Sequence, residues 1–144
     1  MSGAQIVTDI PLKTTPLDAL HRELGAEMVE FAGFAMPLRY PAGIMAEHQQ
    51  CRASAALFDV SHMGQVVLRG DKRIEDLEAL VPGDIEALGP GRMRYSLFTN
   101  EQGGVIDDLM ITQREGDLYI VVNASRIAVD LAHLEKHFLG STQI

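Results

Sequence analysis

The chain reads as one α+β domain, an antiparallel sheet or meander with flanking helices. Three observations carry that reading. Residues 94–99, 105–113 and 118–123 are strand-like runs separated by NEQGG and REGD, both suited to hairpin turns. Residues 125–138 follow as an amphipathic helix, with Ile127, Leu131, Leu134 and Phe138 on one face. From residue 64 on, the order of patterns is β, α, then β-β-β, α, which favours α+β over a parallel βαβ repeat.

The earlier elements follow from spacing and punctuation. The opening segment through Lys13 mixes polar and apolar residues and is expected to be an untied arm. Thr15 and Pro16 read as an N-cap and a first helical residue, with Leu17, Leu20 and Leu24 as the stripe and Gly25 as the stop. The run MVEFAGFAMPLRYPAG, closed by Pro37 and Pro41, reads as an extended strand with a bend. Residues 44–55 suit a short helix with Ile44, His48 and Cys51 on one side. Leu57 to Val60 is a short apolar stretch that enters the loop SHMG, and QVVLRG is a strand. DKRIEDLEAL is a helix with Asp71 as its cap and Ile74, Leu77 and Leu80 buried. VPGDIEALGPGR, dense in proline and glycine, is a loop.

Composition removes several classes of function. The chain has 144 residues, enough for one core. Hydrophobic residues are 47% and charged residues 22%, a globular balance. Twelve basic against twenty acidic side chains give a net charge of −8, which disfavours nucleic acid and anionic lipid as partners. No apolar run has the length of a membrane span, and the first fifteen residues lack a signal or transit pattern. A lone Cys51 gives no internal disulfide and no thiolate cluster. The expected location is cytoplasmic.

Candidate chemistry starts with Asp107 and Asp108, adjacent carboxylates inside the apolar strand VIDDLMI. Alternation puts Asp107 with Val105, Leu109 and Ile111, and Asp108 with Ile106 and Met110. One of them therefore faces an interior or a cleft, where an unpaired charge is costly. Taken alone, the pair is more simply read as one Asp capping or pairing locally and the other solvated. His133 and His137 are spaced i, i+4, but they fall opposite the apolar stripe with no third ligand, so a solvated face is expected and no metal. His62 in DVSHMG is better placed, although a loop histidine bonded to backbone is the simpler reading. Tyr95 reads as strand packing, Asn123 as a helix cap and Cys51 as a small core residue. Gly103–Gly104 lacks the Lys and Ser/Thr of a phosphate loop.

Taken together and in order, these segments resemble a known family. TPLDALHRELGAEMVEFAGFAMPLRY, ALFDVSHMGQVVLRG, RMRYSLFTNEQGGVIDDLMI and LYIVVNAS are similar to the aminomethyltransferase, or T protein, family of the glycine cleavage system. The similarity runs from about Thr15 to about Phe138, and FDVSHMG and TNEQGGVIDDL are its most specific blocks. Members are longer. The resemblance implies that residues 15–144 are the amino-terminal part of the aminomethyltransferase folate-binding region, preceded by a flexible arm over residues 1–14. The rest of the folate core and a carboxy-terminal barrel domain would be absent. A chain so placed is expected to expose an apolar patch and to self-associate.

The family reaction takes the aminomethyl group from the lipoyl arm of H protein, releases ammonia and passes the one-carbon unit to tetrahydrofolate. Carried over residue by residue, the resemblance implies that Asp108 is the essential aspartate. It implies that Met63, Tyr95 and Asn123 line the folate pocket, and that Val67 and Val121 are apolar lining positions. Asp108 would orient the folate amine and stabilise positive charge, with Asp107 structural. Two alternatives share the looser form of these blocks. One is a folate-dependent demethylase or the folate domain of a dimethylglycine or sarcosine dehydrogenase. The other is a non-enzymatic folate-binding protein of iron–sulfur cluster maintenance.

Overall fold

The structure, a computed structural model, describes residues 11–138, 140 and 142–144. The chain divides into two compact units, one ending at His62 and the other starting at Met63. Most of the arm expected over residues 1–14 lies outside the described residues.

In the first unit, β1 (Lys13–Thr14) pairs in parallel with β3 (Phe34–Arg39), and β2 (Glu27–Phe31) pairs antiparallel with β3. Lys13 and Thr14, placed in the arm by the sequence, are tied to β3. The expected bend in the aromatic run is a two-residue hairpin turn. Phe31 pairs with Phe34, and both Ala32 and Gly33 have positive φ, 52° and 81°. Two successive positive φ values match the right-handed twist of the strands on either side.

Helix α1 (Asp18–Glu23) forms, but with the opposite face inward. Leu17, Leu20 and Leu24 are exposed, and His21 is the buried residue. Nor does Thr15 cap the helix: its Oγ1 donates to Asp59 Oδ2 at 2.8 Å. The physical reason is that His21 finds a polar partner for each ring nitrogen, Tyr40 and Asp59, which makes its burial favourable. Helix α2 (Ile44–Ala53) buries no residue. Its Ile44, His48 and Cys51 side instead lines a groove with Leu38, Leu57 and Phe58, and Cys51 is exposed rather than a core residue.

The second unit is a four-stranded antiparallel sheet with helices on one face. Its elements are β4 (Gly64–Arg69), α3 (Arg73–Glu78), β5 (Met93–Thr99), β6 (Val105–Gln113), β7 (Asp117–Val122), a 3₁₀ turn (Ala124–Arg126) and α4 (Ile127–His137). The strand order is β4-β7-β6-β5, with the expected meander intact. Gln143 bridges Arg69 and extends the β4 edge.

One face of this sheet is the core. Val66, Leu68, Phe98, Leu109, Ile111, Leu118, Ile120 and Val122 pack with Leu77, Leu80, Val81, Ile85, Leu88, Leu134 and Phe138. Each such side chain contributes about 2 kcal/mol of hydrophobic burial. Leu77 and Leu80 are buried as their spacing predicts, but Asp71 is not the cap of α3, whose N-cap position is Lys72. The proline- and glycine-rich loop is held by Glu78, whose Oε1 accepts the backbone N–H of Ile85 and of Glu86.

Candidate functional site

Strand alternation separates the two adjacent carboxylates. Asp107 is 8% exposed on the core face with Leu109 and Ile111, and Asp108 points to the other, open face. The register assembles that open face row by row. Tyr95 pairs with Met110, Met110 with Val121 and Val121 with Gln65. Thr112 pairs with Tyr119 and Tyr119 with Val67, while Leu97 lies opposite Asp108. Met63 and Asn123 sit one residue beyond the Gly64–Val122 pair. By this alternation all six residues singled out in the sequence, Met63, Val67, Tyr95, Asp108, Val121 and Asn123, fall on one face. Met63, Val67, Val121 and Asn123 are half-buried there, and Tyr95 and Asp108 are exposed.

Strand β7 ends opposite Leu109, so Asp107 and Asp108 have no strand partner on that side. The Asn123 side chain takes that place. Its Nδ2 donates to Asp108 Oδ1 at 2.9 Å, to Asp107 Oδ1 at 3.0 Å and to the Asp108 carbonyl at 3.3 Å. Arg126 completes the edge, with Nη2 donating to the Ile106 carbonyl at 3.0 Å. Asp107 Oδ1, Asp108 Oδ1 and the Ile106 and Asp108 carbonyls, left open by the shorter strand, are thus satisfied by two side chains of the next turn. Asn123 occupies the N-cap position of the 3₁₀ turn without a capping bond, so its side chain serves the carboxylates and not the helix.

A third carboxyl joins them from the core side. Asp130 on α4 is fully buried, and neither of its oxygens has a hydrogen-bond donor among the described residues. Burial first, then the bond and charge of Asp107, push it up to about 7 against the opposing charge of Arg126. Sequence reasoning missed this residue. A signal was present, since Asp130 falls within the Ile127–Leu131–Leu134 stripe at helical spacing.

The histidines lie elsewhere. His62 packs edge-on against Phe31 and Phe34 at 5.5 and 6.3 Å between ring centres, and its buried Nδ1 has no partner, so it is not bonded to backbone. His133 is not on a solvated face as expected. It is half-buried, 5.4 Å from the Phe98 ring, and burial followed by the His137 and Lys136 charges lowers its pKa. Among the described residues no group of three or more His, Cys, Asp or Glu is placed to hold a metal ion. No described helix is long and apolar enough to cross a membrane. A cleft of about 640 Å³, lined by Leu80, Asn100, Ile106, His133 and Lys136 among others, contains none of the six open-face residues.

The open face sets half-buried Met63, Val67, Met110 and Val121 among the polar Gln65, Thr112 and Tyr119, with the exposed Tyr95 ring and, at one end, a carboxylate held by an amide. A carboxylate held in this way can accept hydrogen bonds from the N–H groups of a ligand.

Comparisons with known proteins agree with this architecture. The family model described as "GCVT N-terminal domain" matches residues 17–144. The mitochondrial aminomethyltransferase of Dictyostelium discoideum is 50% identical over 125 residues, covering 87% of this chain and 31% of the relative. The aminomethyltransferase of Bacillus subtilis is 41% identical over 134 residues, covering 92% of this chain and 37% of the relative. The crystal structure of glycine cleavage system aminomethyltransferase T from Bartonella henselae superimposes with a TM-score of 0.88 at 43% identity, covering 92% of this chain and 37% of that one. The chain therefore spans about a third of the length of these relatives. With its fold and most of its length matched in this way, the chain belongs to the GCVT N-terminal domain family.

Proposed function

We propose that the chain supplies the folate-facing sheet of an aminomethyltransferase of the glycine cleavage system. The intact enzyme would take the aminomethyl carbon from the lipoyl arm of H protein and pass it to tetrahydrofolate. The carbon leaves its sulfur and its amine, two folate amines take it, and their two protons depart with the thiol and with ammonia. The observation that carries this reading is the gathering of Met63, Val67, Tyr95, Asp108, Val121 and Asn123 on one open face, with Asn123 bonded to Asp108 at 2.9 Å. Relatives named aminomethyltransferase favour this reading over a demethylase or a cluster-maintenance protein.

The chemistry asks little of these residues beyond position and charge. Val67, Val121 and Met63 provide half-buried apolar contact for a pterin, and Tyr95 an aromatic edge. Asp108, tethered by Asn123, would hold a folate N–H and stabilise the positive charge that develops as the carbon is handed over. Asp107 serves as support for Asn123, and binds nothing on the open face.

Calorimetric titration with tetrahydrofolate tests the binding half. The expected result is binding by the chain or the intact protein that weakens about tenfold in Asp108→Asn. In the intact protein with aminomethyl-loaded H protein, Asp108→Asn should lower turnover at least about a hundredfold with the fold retained. Tetrahydrofolate binding by neither protein would overturn the reading.

A further inference from the structure

We propose that Asp130 is a protonated carboxylic acid whose O–H donates to Asp107 Oδ2, and that this bond positions Asn123 and, through it, the Asp108 carboxylate. Asp130 is thus a positioning residue, and only its link to catalysis rests on the proposed folate reading.

The geometry leaves three buried oxygens to account for. Asp130 Oδ1 and Oδ2 and Asp107 Oδ2 have no donor among the described residues. The Asp130 and Asp107 carboxyls are hydrogen-bond neighbours, and Asp130 is enclosed by the core with 0% exposure. Two ionised carboxylates in contact there would be like charges in apolar surroundings. A single shared proton removes the repulsion and gives Asp107 Oδ2 its donor.

Hydrogen bonding decides which group carries the proton. Asp107 Oδ1 is already committed as acceptor of the Asn123 amide at 3.0 Å, whereas Asp130 receives no donor among the described residues, so the proton is placed on Asp130. The charged groups facing Asp130 are Asp107 and Asp108 from β6 and Arg126 from the 3₁₀ turn. Arg126 alone favours an ionised Asp130, and its Nη2 is engaged by the Ile106 carbonyl. The net result is a carboxyl raised to about 7.

With Asp130 protonated, Asp107 is held from both sides, by the acid on Oδ2 and by the amide on Oδ1. The amide is then fixed for its second bond, to Asp108 Oδ1. Ionising Asp130 sets two buried carboxylates against each other and loosens that chain of bonds. A raised folded-state pKa gives stability that is full below the unfolded value of about 4 and is lost as pH rises through about 7.

Carbon-13 NMR of aspartate carboxyls in the folded chain tests this without any ligand. One carboxyl should titrate near pH 7 and be missing in Asp130→Asn, whose amide still donates to Asp107 but cannot ionise. Asp130→Asn should also keep the shifted Asn123 side-chain amide resonances and flatten the stability decline between about pH 4 and 7. In Asp130→Leu those resonances should collapse toward random-coil positions, and tetrahydrofolate should bind about tenfold more weakly. Titration of every carboxyl of the folded wild-type chain in the ordinary range would overturn the proposal, and so would unchanged Asn123 resonances in a folded Asp130→Leu. A carboxyl titrating near 7 in a chain that never binds folate would support the proton-sharing pair and remove the folate reading instead.

Discussion

His21 Nε2 lies 2.9 Å from Asp59 Oδ2, with the two side chains only 7% and 2% exposed. An ionised carboxylate only accepts, so Nε2–H donates to Asp59, while Nδ1 pairs with the Tyr40 hydroxyl at 2.7 Å. Asp59 also accepts from Thr15 Oγ1 at 2.8 Å and from the Ser61 backbone at 2.9 Å. These five residues hold α1, the end of β3 and residues 58–61 of the first unit together.

Asp59→Asn should therefore destabilise that unit by about 2–3 kcal/mol at neutral pH, read as a lower urea midpoint. Burial would raise the Asp59 pKa, but the bonds from His21, Ser61 and Thr15 outweigh it and hold the group well below the usual carboxylate range. A depressed folded value gives stability that is present above the unfolded value of about 4 and is lost as pH falls toward the folded one. The acid limb of the unfolding profile should thus lose its steepest part in Asp59→Asn. An unchanged acid limb would mean that Asp59 is not the group whose protonation loosens the unit.

The parts of this fold that were legible in the sequence are those governed by local pattern. The meander follows from period-2 alternation and from the NEQGG and REGD turns, so β5, β6 and β7 and the opposite facing of Asp107 and Asp108 were all visible. The open-face residues were recognisable through resemblance and not through pattern, since Tyr95 and Asn123 look ordinary one at a time. What failed depended on partners far along the chain. His21 is inside because Tyr40 and Asp59, 19 and 38 residues away, satisfy it, and no helical stripe records that. Asp130 is buried on the apolar stripe of α4, where the buried Asp107 of β6 influences it. Cys51 followed the spacing of Ile44 and His48, but in the structure that side of α2 lines a groove and is not buried.

Asn123→Asp should be worse than Asn123→Ala. The aspartate keeps the size of the side chain but turns the donor toward Asp107 and Asp108 into a third negative acceptor. Repulsion and two lost charge-assisted bonds should cost about 2–3 kcal/mol at pH 7, with part of the loss recovered on acidification as a carboxyl takes up a proton. Paired urea titrations at pH 7 and pH 5 would read the difference. Equal stability of the two variants at pH 7 would argue against the amide bridge.

Leu57, Phe58 and Val60 are 102%, 74% and 61% exposed, and Met45 in the same unit is 68% exposed. An apolar strip of this kind is expected to drive self-association of the chain in isolation. Leu57→Ser with Phe58→Ser should shift the chain toward monomer in sedimentation velocity. Stability should change by no more than about 0.5 kcal/mol, because fully exposed side chains lose little on replacement. If the doubly substituted chain associates as strongly as the original, another surface is responsible.

Gly64 begins β4 on the core face, directly after Met63. A Cβ placed there would come within 2.6 Å of both Ile127 Cγ1 and Val122 Cγ2, closer than packed carbons approach. Ile127 opens α4, and it is followed three residues later by Asp130, so the missing side chain is what lets the helix start sit against the strand that ends at Val122. Gly64→Ala should push α4 outward at its first turn and cost about 2 kcal/mol, within the usual range for overpacking. The same displacement draws Asp130 away from Asp107. The Asn123 side-chain amide resonances should therefore shift although Asn123 itself is untouched, and Gly64→Ala should cost less in an Ile127→Ala background, where the clashing Cγ1 is gone. A Gly64→Ala protein with unchanged stability and unmoved Asn123 resonances would show that strand and helix accommodate the methyl elsewhere, and that the glycine is not what sets their approach.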